Sequence, residues 1–318
     1  MNLSHKYYPN SLDDFKINKS LRDIITLQIN INTLNILFKG TNGCGKTTLI
    51  NIILNTYYKN DNPKNIQNNI LRINSLTDLG LNTFRQNIKS FCQTCSSIKN
   101  KKKTVIIDDI DTISQQTQQI LRSCIDKYSN KVNFLCSCVN IQKVLDNIQS
   151  RMLIIKVKSL NETEIIEYFT KIFEKENIKI DNDDFKDIIL LSNKNMNAIY
   201  NNIQKLVLID KHITNKMIKH NCTNINFTYF EKYFNLLKEN EIEQGCEILN
   251  TIYKNGYSVN DILENLFEFV KYTSLLDDNK KFIVFEILGE YISYFYMINE
   301  EKIELYLMTQ KMYDNIYG

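Results

Sequence analysis

Residues 40–47 of this chain read GTNGCGKT, a full match to the pattern GxxxxGK[ST]. Each residue type there has a physical task. Gly40, Gly43 and Gly45 let the backbone curl, so that the N–H groups of a loop that also includes Thr41, Asn42 and Cys44 turn toward an anion. Lys46 extends toward the β- and γ-phosphates of a nucleotide, and the Thr47 hydroxyl is placed to ligate Mg²⁺, with Thr48 next to it. A helix starting at Lys46 would add its positive N-terminal end to the same site. Phosphate binding is the chemistry this spacing suits.

A second constellation lies downstream. Val105-Ile106-Ile107-Asp108-Asp109 is an apolar strand ending in two carboxylates. Two acids that merely cap a strand end are the plain alternative. With a phosphate loop upstream, Asp108 is expected to hold Mg²⁺ through water, and Asp109 stands where a carboxylate would activate the attacking water. The reaction implied is hydrolysis of ATP at its γ-phosphate, driven by positioning and charge stabilisation.

The elements that must position these residues are legible as alternating patterns. Short apolar runs at Ile36–Lys39, Ile70–Asn74, Thr104–Ile107, Val132–Ser137 and Leu153–Val157 predict strands. Amphipathic stretches between them, Lys46–Tyr58, Leu81–Thr94 and Gln115–Tyr128, predict helices, the arrangement of a parallel sheet covered on its faces. After about residue 158 the β signal stops. Asn161–Asn177, Asp183–Leu191 and Asn195–Leu208 carry apolar residues three and four apart, and Asn161 with Glu164 resembles a capping box. From about residue 223 a third block reads as helical, running through Ser258–Leu275 to the C-terminus. The expected architecture is an α/β core over 1–158, a small helical block over 159–222 and an all-helical block over 223–318.

Composition excludes more than it selects. The 318 residues are 43% hydrophobic and 24% charged, ordinary for a globular chain with room for two or three cores. A net charge of +3 neither demands nor forbids a nucleic-acid partner. No apolar leader and no run long enough to cross a membrane is present, so a soluble, intracellular protein with no membrane partner is expected. Eight cysteines in that setting read as reduced thiols. Cys92 and Cys95 form a CxxC without a second pair at zinc-site spacing, so buried or helical thiols are the better reading. The abundance of Asn, Ile and Lys reflects an AT-rich genome, as in a large DNA virus or a protist.

Beyond the two motifs, a series of segments resembles the small subunits of replication factor C, within the AAA+ ATPases. Lys6-Tyr7-Tyr8-Pro9 and Ser11-Leu12-Asp13-Asp14 are similar to that family's KYRP…LDD opening. Leu71–Gly80 resembles LELNASDDRG, and Phe84-Arg85 with Ile88-Lys89-Ser90-Phe91 continues it. Asp108–Asp111 resembles DEAD, Gln118–Arg122 resembles QQALR, and Ile148-Gln149-Ser150-Arg151-Met152 resembles IQSRC. Asn255-Gly256-Tyr257-Ser258 with Asp261-Ile262 resembles the start of a collar helix. The segments occur in family order along the whole chain.

The resemblance implies a RecA-like AAA+ P-loop domain with a parallel sheet, a helical lid and a helical collar that joins five subunits into a ring. It implies ATP and Mg²⁺ as cofactors, with Tyr8 and Pro9 beside the base. It also implies a PCNA-like sliding clamp and primer–template DNA as partners, in the nucleus or at a viral replication site. Arg151 falls at the position of a finger that reaches a neighbour's ATP in trans. Arg85 and Lys89, four apart on one helical face, are candidates for DNA backbone contact, with ion-paired surface residues as the alternative. The run Lys99–Lys103 reads better as a solvated charge cluster.

Departures from the family pattern are specific. Tyr8 replaces an Arg, Lys16-Ile17 replaces Val-Gly, and Asp109 is one methylene shorter than the usual Glu. Val139 occupies the sensor Asn position with Asn140 next to it, and Asn197 occupies the second sensor's Arg position. A subunit that binds ATP but hydrolyses it poorly is therefore a second expectation. A branch-migration helicase or initiator is a third, and it requires a winged-helix domain, with strands, at the C-terminus.

Overall fold

A computed structural model describes residues 3–59, 61–74, 81–222, 225, 227–273, 275–295 and 301–317. Ser75–Gly80, part of the segment that resembles LELNASDDRG, lie outside the described residues. Contacts divide the chain into two compact units. One comprises Met1–Glu176 with Ser192–Gln204, the other Asn177–Leu191 with Lys205–Gly318. The stretch 159–222 is thus shared between them.

In chain order the first unit holds α1 (Leu3–Lys6), α2 (Lys19–Ile31), β1 (Ile36–Lys39), α3 (Lys46–Tyr57), α4 (Pro63–Asn69) and β2 (Ile70–Asn74). Then follow α5 (Leu81–Gln93), β3 (Lys103–Asp108), α6 (Gln115–Tyr128), β4 (Val132–Cys138), α7 (Asp146–Gln149), β5 (Leu153–Lys156) and α8 (Glu162–Glu176). The second unit opens with α9 (Asn182–Leu191). Next in sequence is α10 (Met196–Ile209), which contributes residues as far as Gln204 to the first unit and the rest to the second.

The five strands form one parallel sheet in the order β2-β3-β4-β1-β5. Every residue of β4 is buried, as expected of a strand covered on both faces. The period of two then sorts side chains between layers. Ile36, Phe38, Ile106 and Leu135 pack on one face with Ile25 of α2 and Leu49, Ile50 and Ile53 of α3. Leu37, Val105, Ile107, Phe134 and Cys136 pack on the other with Ile88 of α5, Leu121 and Ile125 of α6 and Ile148 of α7. The β1–β4 register, Ile36 against Leu135 through Lys39 against Cys138, brings the ends of both strands to one edge, where the loops carrying the motifs emerge.

The lysine run departs from its solvated reading at the end that enters β3. Lys101 Nζ meets Asp61 Oδ2 at 2.6 Å and lies over the Tyr57 ring. Lys103 is buried, and its Nζ donates to the Phe91 carbonyl (3.3 Å) and to Thr94 Oγ1 (2.5 Å), above the Phe91 ring. Its ammonium meets a carbonyl at the C-terminal end of α5, where the helix dipole favours a cation. A buried alkyl stem with a satisfied head explains why charge alone misplaced it.

In the second unit, α11 (Asn215–Asn221), α12 (Phe227–Lys238), α13 (Ile242–Lys254), α14 (Val259–Tyr272), α15 (Asp278–Phe295) and α16 (Ile303–Ile316) follow. One apolar core joins α12 to α16, with the Phe269 ring in contact with those of Phe230 and Phe234. A capping box starts α14: Ser258 Oγ accepts from the Asp261 N–H, and Asp261 accepts from the Ser258 N–H. Among the described residues no strand occurs after β5, and no helix is long and apolar enough to cross a membrane.

Candidate nucleotide-binding site

The loop of residues 40–45 leaves β1 and delivers Lys46 as the first residue of α3. Gly43 (φ 72°) and Gly45 (φ 95°) are both left-handed, a conformation open to Gly at little cost. Space is a second constraint. A Cβ on Gly43 would come within 1.9 Å of Asn195 Oδ1, and one on Gly45 within 2.8 Å of the Phe15 ring. The sequence pattern therefore encodes both a turn and two close approaches. Asn195 in turn caps α10, its Oδ1 accepting from the N–H groups of Asn197 (3.0 Å) and Ala198 (3.4 Å). Met196 N–H donates to the Gly43 carbonyl at 3.4 Å, so the first turn of α10 is tied to the phosphate loop.

Lys46 is only 7% exposed, and its Nζ donates to the carbonyls of Gly40 (2.9 Å) and Thr41 (3.0 Å), which keeps the cation inside the loop. Thr47 Oγ1 donates to Asp108 Oδ1 at 3.4 Å, bringing the two expected Mg²⁺ residues together across strands β1 and β3. That pair of hard oxygen donors beside a lysine-bearing anion cradle fits a magnesium–phosphate group. Asp109 adopts φ 52°, uncommon for a residue with a Cβ, and caps the 3-10 turn Ile110–Thr112. Burial raises its carboxyl above the usual range, Lys46 opposes this, and the charges of Asp108 and Asp111 add to it. The combination gives a carboxylate more basic than an ordinary Asp.

A cavity of about 620 Å³ joins these groups. Asn42 to Thr48 and Asp109 line its phosphate end, and Tyr7, Tyr8, Pro9, Tyr168, Met196 and Tyr200 line the rest. The aromatic walls are fixed by hydrogen bonds. Tyr168 Oη donates to the Tyr7 carbonyl (3.1 Å) and so accepts from Tyr200 Oη (2.7 Å), while Tyr8 Oη accepts from Asn51 Nδ2 (2.9 Å). Desolvation raises the Tyr168 and Tyr200 phenols, so both stay neutral and apolar-faced. Asn197 lines the cavity, whereas Val139 is exposed and Asn140 spends its Oδ1 on the Gln142 N–H (2.9 Å).

Arg151 stands elsewhere. It precedes β5, whose first residue Leu153 pairs with Ile36, the first residue of β1, while the phosphate loop leaves from the far end of that strand. The length of β1 alone separates the two by about 10 Å. The guanidinium is mounted rigidly: Nε donates to Asp126 of α6, and one terminal nitrogen donates to the Asn147 carbonyl (2.7 Å) and to Ser150 Oγ (3.3 Å). Arg122 lies 3.5 Å from the other Asp126 oxygen. Arg85 and Lys89 are exposed on α5 and line a groove of about 300 Å³ against α6, with Lys127 opposite.

Motif reading missed several residues that shape this site: Phe15, Ser137, Tyr168, Tyr200 and Asn195 as a cap. Ser137 alone carried a signal, a hydroxyl inside the otherwise apolar FLCSC of β4. The others come from segments far from the loop in sequence, and only folding brings them to it.

Comparison with known proteins gives a consistent picture. Residues 36–160 match the ATPase family associated with various cellular activities (AAA), and residues 228–293 match the replication factor C C-terminal domain. The chain is 28% identical to a protein of Acanthamoeba polyphaga mimivirus named as a replication factor C small subunit, over 84% of this chain and 82% of that one. Replication factor C subunit 4 of Saccharomyces cerevisiae is 26% identical over 89% of this chain and 87% of its own length. The replication factor C small subunit of Methanococcus maripaludis is 25% identical over 96% of both. Among solved structures, the Thermotoga maritima RuvB Holliday junction branch migration motor aligns with a TM-score of 0.50 at 14% identity, over 77% of this chain and 85% of that one. This last likeness is one of fold.

Proposed function

Since this chain belongs to the replication factor C small-subunit family of AAA ATPases, we propose that it serves as one subunit of a clamp loader in DNA replication. The observation that carries the reading is the convergence of Lys46, Thr47 and Asp109 on one aromatic-walled cavity, with Asp108 hydrogen-bonded to Thr47 behind it and Arg151 at the opposite end of the sheet. The ligand is ATP with Mg²⁺. The metal, when bound, neutralises charge on the phosphates. Gly40–Gly45 and Lys46 bind the phosphates, Thr47 and Asp108 hold the metal, and Tyr8 and Pro9 flank the base. Asp109 orients the attacking water and receives its proton. Arg151 completes the site of a neighbouring subunit, because it is too far from its own loop to serve it, and assembly is thereby coupled to hydrolysis.

The same reading divides the chain into an ATPase part (1–158), a lid (159–222) and a collar (223–318) that joins a five-membered ring. The partners are the other ring subunits, a PCNA-like clamp and primer–template DNA, whose backbone Arg85 and Lys89 contact. The place of work is the nucleus of a cell or a viral replication site. The absence of strands in the described C-terminal residues, together with the match at 228–293, favours this over a branch-migration motor or initiator.

Three variants test the assignment in the full chain and the assembled ring. Lys46→Ala should weaken ATP binding at least about 10-fold, the scale of one lost phosphate contact. Arg151→Ala should leave this chain's own ATP affinity within twofold yet slow hydrolysis at the facing interface by about 10³-fold or more. Unchanged affinity in the first, or full activity in the second, would remove the corresponding role. A hydrolysis-poor subunit is the second reading, favoured by Asp109, Val139 and Asn197. Asp109→Glu should then speed hydrolysis in the assembled ring, because the longer side chain reaches further into the cavity.

A further inference from the structure

Ser137 lies near the middle of the sheet on β4, fully buried, between two strands that carry the phosphate loop and the paired acids. Its hydroxyl makes two hydrogen bonds of opposite sense. Oγ accepts the backbone N–H of Asp109 at 2.9 Å and donates to Asp108 Oδ1 at 3.2 Å. Thr47 Oγ1 donates to the same carboxylate oxygen. A hydroxyl has one proton, so the polarity of the relay is fixed: Asp109 N–H to Ser137 O–H to the Asp108 carboxylate. Donors in series polarise one another, and the interior position strengthens each bond.

Two geometric facts make this more than the satisfaction of a buried hydroxyl. Asp109 is held at φ 52°, a left-handed conformation that Asp tolerates better than most residues but that still costs energy. The Ser137 bond is made to the backbone N–H of that residue. The carboxylate that Ser137 engages is the one facing Thr47, and the rotation of Asp108 about its side chain determines which lone pairs remain for a metal. One side chain thus sets the backbone of one acid and the orientation of the other.

We propose that Ser137 is a positioning residue for the magnesium and water-activating carboxylates, acting through Asp108 and Asp109 without touching nucleotide. This rests on the nucleotide-binding reading above. Partners in the outer shell of a metal typically contribute 10- to 100-fold in metal affinity or activity. The alternative role, packing of the central strand alone, makes a different prediction, because it would not distinguish nucleotide binding with metal from binding without it.

The test is a Mg²⁺ titration of fluorescent ATP-analogue binding to the full-length chain, run beside binding in EDTA, with hydrolysis by the assembled ring as a second measurement. Ser137→Ala should raise the half-saturating Mg²⁺ concentration about 10-fold and leave the affinity in EDTA within twofold. Ser137→Cys, which is somewhat larger and donates weakly, should behave like Ala, and Ser137→Thr, which keeps the hydroxyl, should stay within twofold of the unchanged chain. Hydrolysis should fall with the Mg²⁺ response in Ala and Cys. An unaltered Mg²⁺ response in Ser137→Cys overturns the proposal, as does an equal loss of affinity with and without metal. If the unchanged chain does not bind the analogue, the nucleotide reading itself fails, which is seen before any variant is compared; binding with no Mg²⁺ dependence overturns the present proposal alone.

Discussion

At the scale of single residues, Asp109 holds two demands in tension. Its carboxyl is raised by burial and by the neighbouring Asp108 and Asp111, with Lys46 only partly offsetting them. A folded-state value above the unfolded one means that the folded chain holds this proton more tightly. The group therefore favours folding at pH below its unfolded value, and that contribution is lost as pH rises through the raised value, above which the buried charge is a standing cost. Asp109→Asn should accordingly raise the melting temperature at neutral pH while lowering hydrolysis by the assembled ring at least about 100-fold. Opposite signs for stability and activity mark a site strained for function. A melting temperature that falls in Asp109→Asn would contradict the assigned cost of burial.

At the scale of elements, helix starts do much of the positioning. The phosphate loop feeds α3, the Asn195 cap sets α10 against Gly43, and Glu164 Oε2 accepts the Asn161 N–H (2.8 Å) just ahead of α8. The reciprocal box of Ser258 and Asp261 is the most complete of these and lies in the second unit, far in sequence from the nucleotide residues. Ser258→Ala removes the acceptor for an N–H at the start of α14 and should cost about 1 kcal/mol. Urea unfolding followed by a probe in the second unit measures this, and nucleotide affinity should stay unchanged. A cost near zero would mean that water replaces the box. Of these, only the Asn161–Glu164 pair was read from the chain, where its donor and acceptor lie three residues apart.

At the scale of the whole molecule, the apolar clusters fall into separate sets. Those flanking the sheet belong to the first unit, and the one joining α12 to α16 belongs to the second. Calorimetry of the full chain should resolve two transitions, of which only one responds to ATP with Mg²⁺. At a ligand concentration 100 times its dissociation constant that transition should gain about 2.7 kcal/mol. A single transition that shifts as a whole would show the units to unfold as one body.

The sequence by itself determined the strands to within a residue or two, the phosphate loop and the paired acids, because these depend on local periodicity and on residue types at fixed short spacing. It also placed Arg151 in its box, though what that position means came from resemblance to a family. Tertiary structure decided the rest. The aromatic wall brings Tyr7 and Tyr8 beside Tyr168 and Tyr200, more than 150 residues on, through hydrogen bonds that no local pattern encodes. The inward turn of Lys101 and Lys103 depends on a helix end and on Tyr57, Asp61 and Phe91, so a charge count could only place them in solvent. The relay through Ser137 exists because a parallel register sets β4 beside β3, and hydrogen bonds between strands are fixed by that register alone.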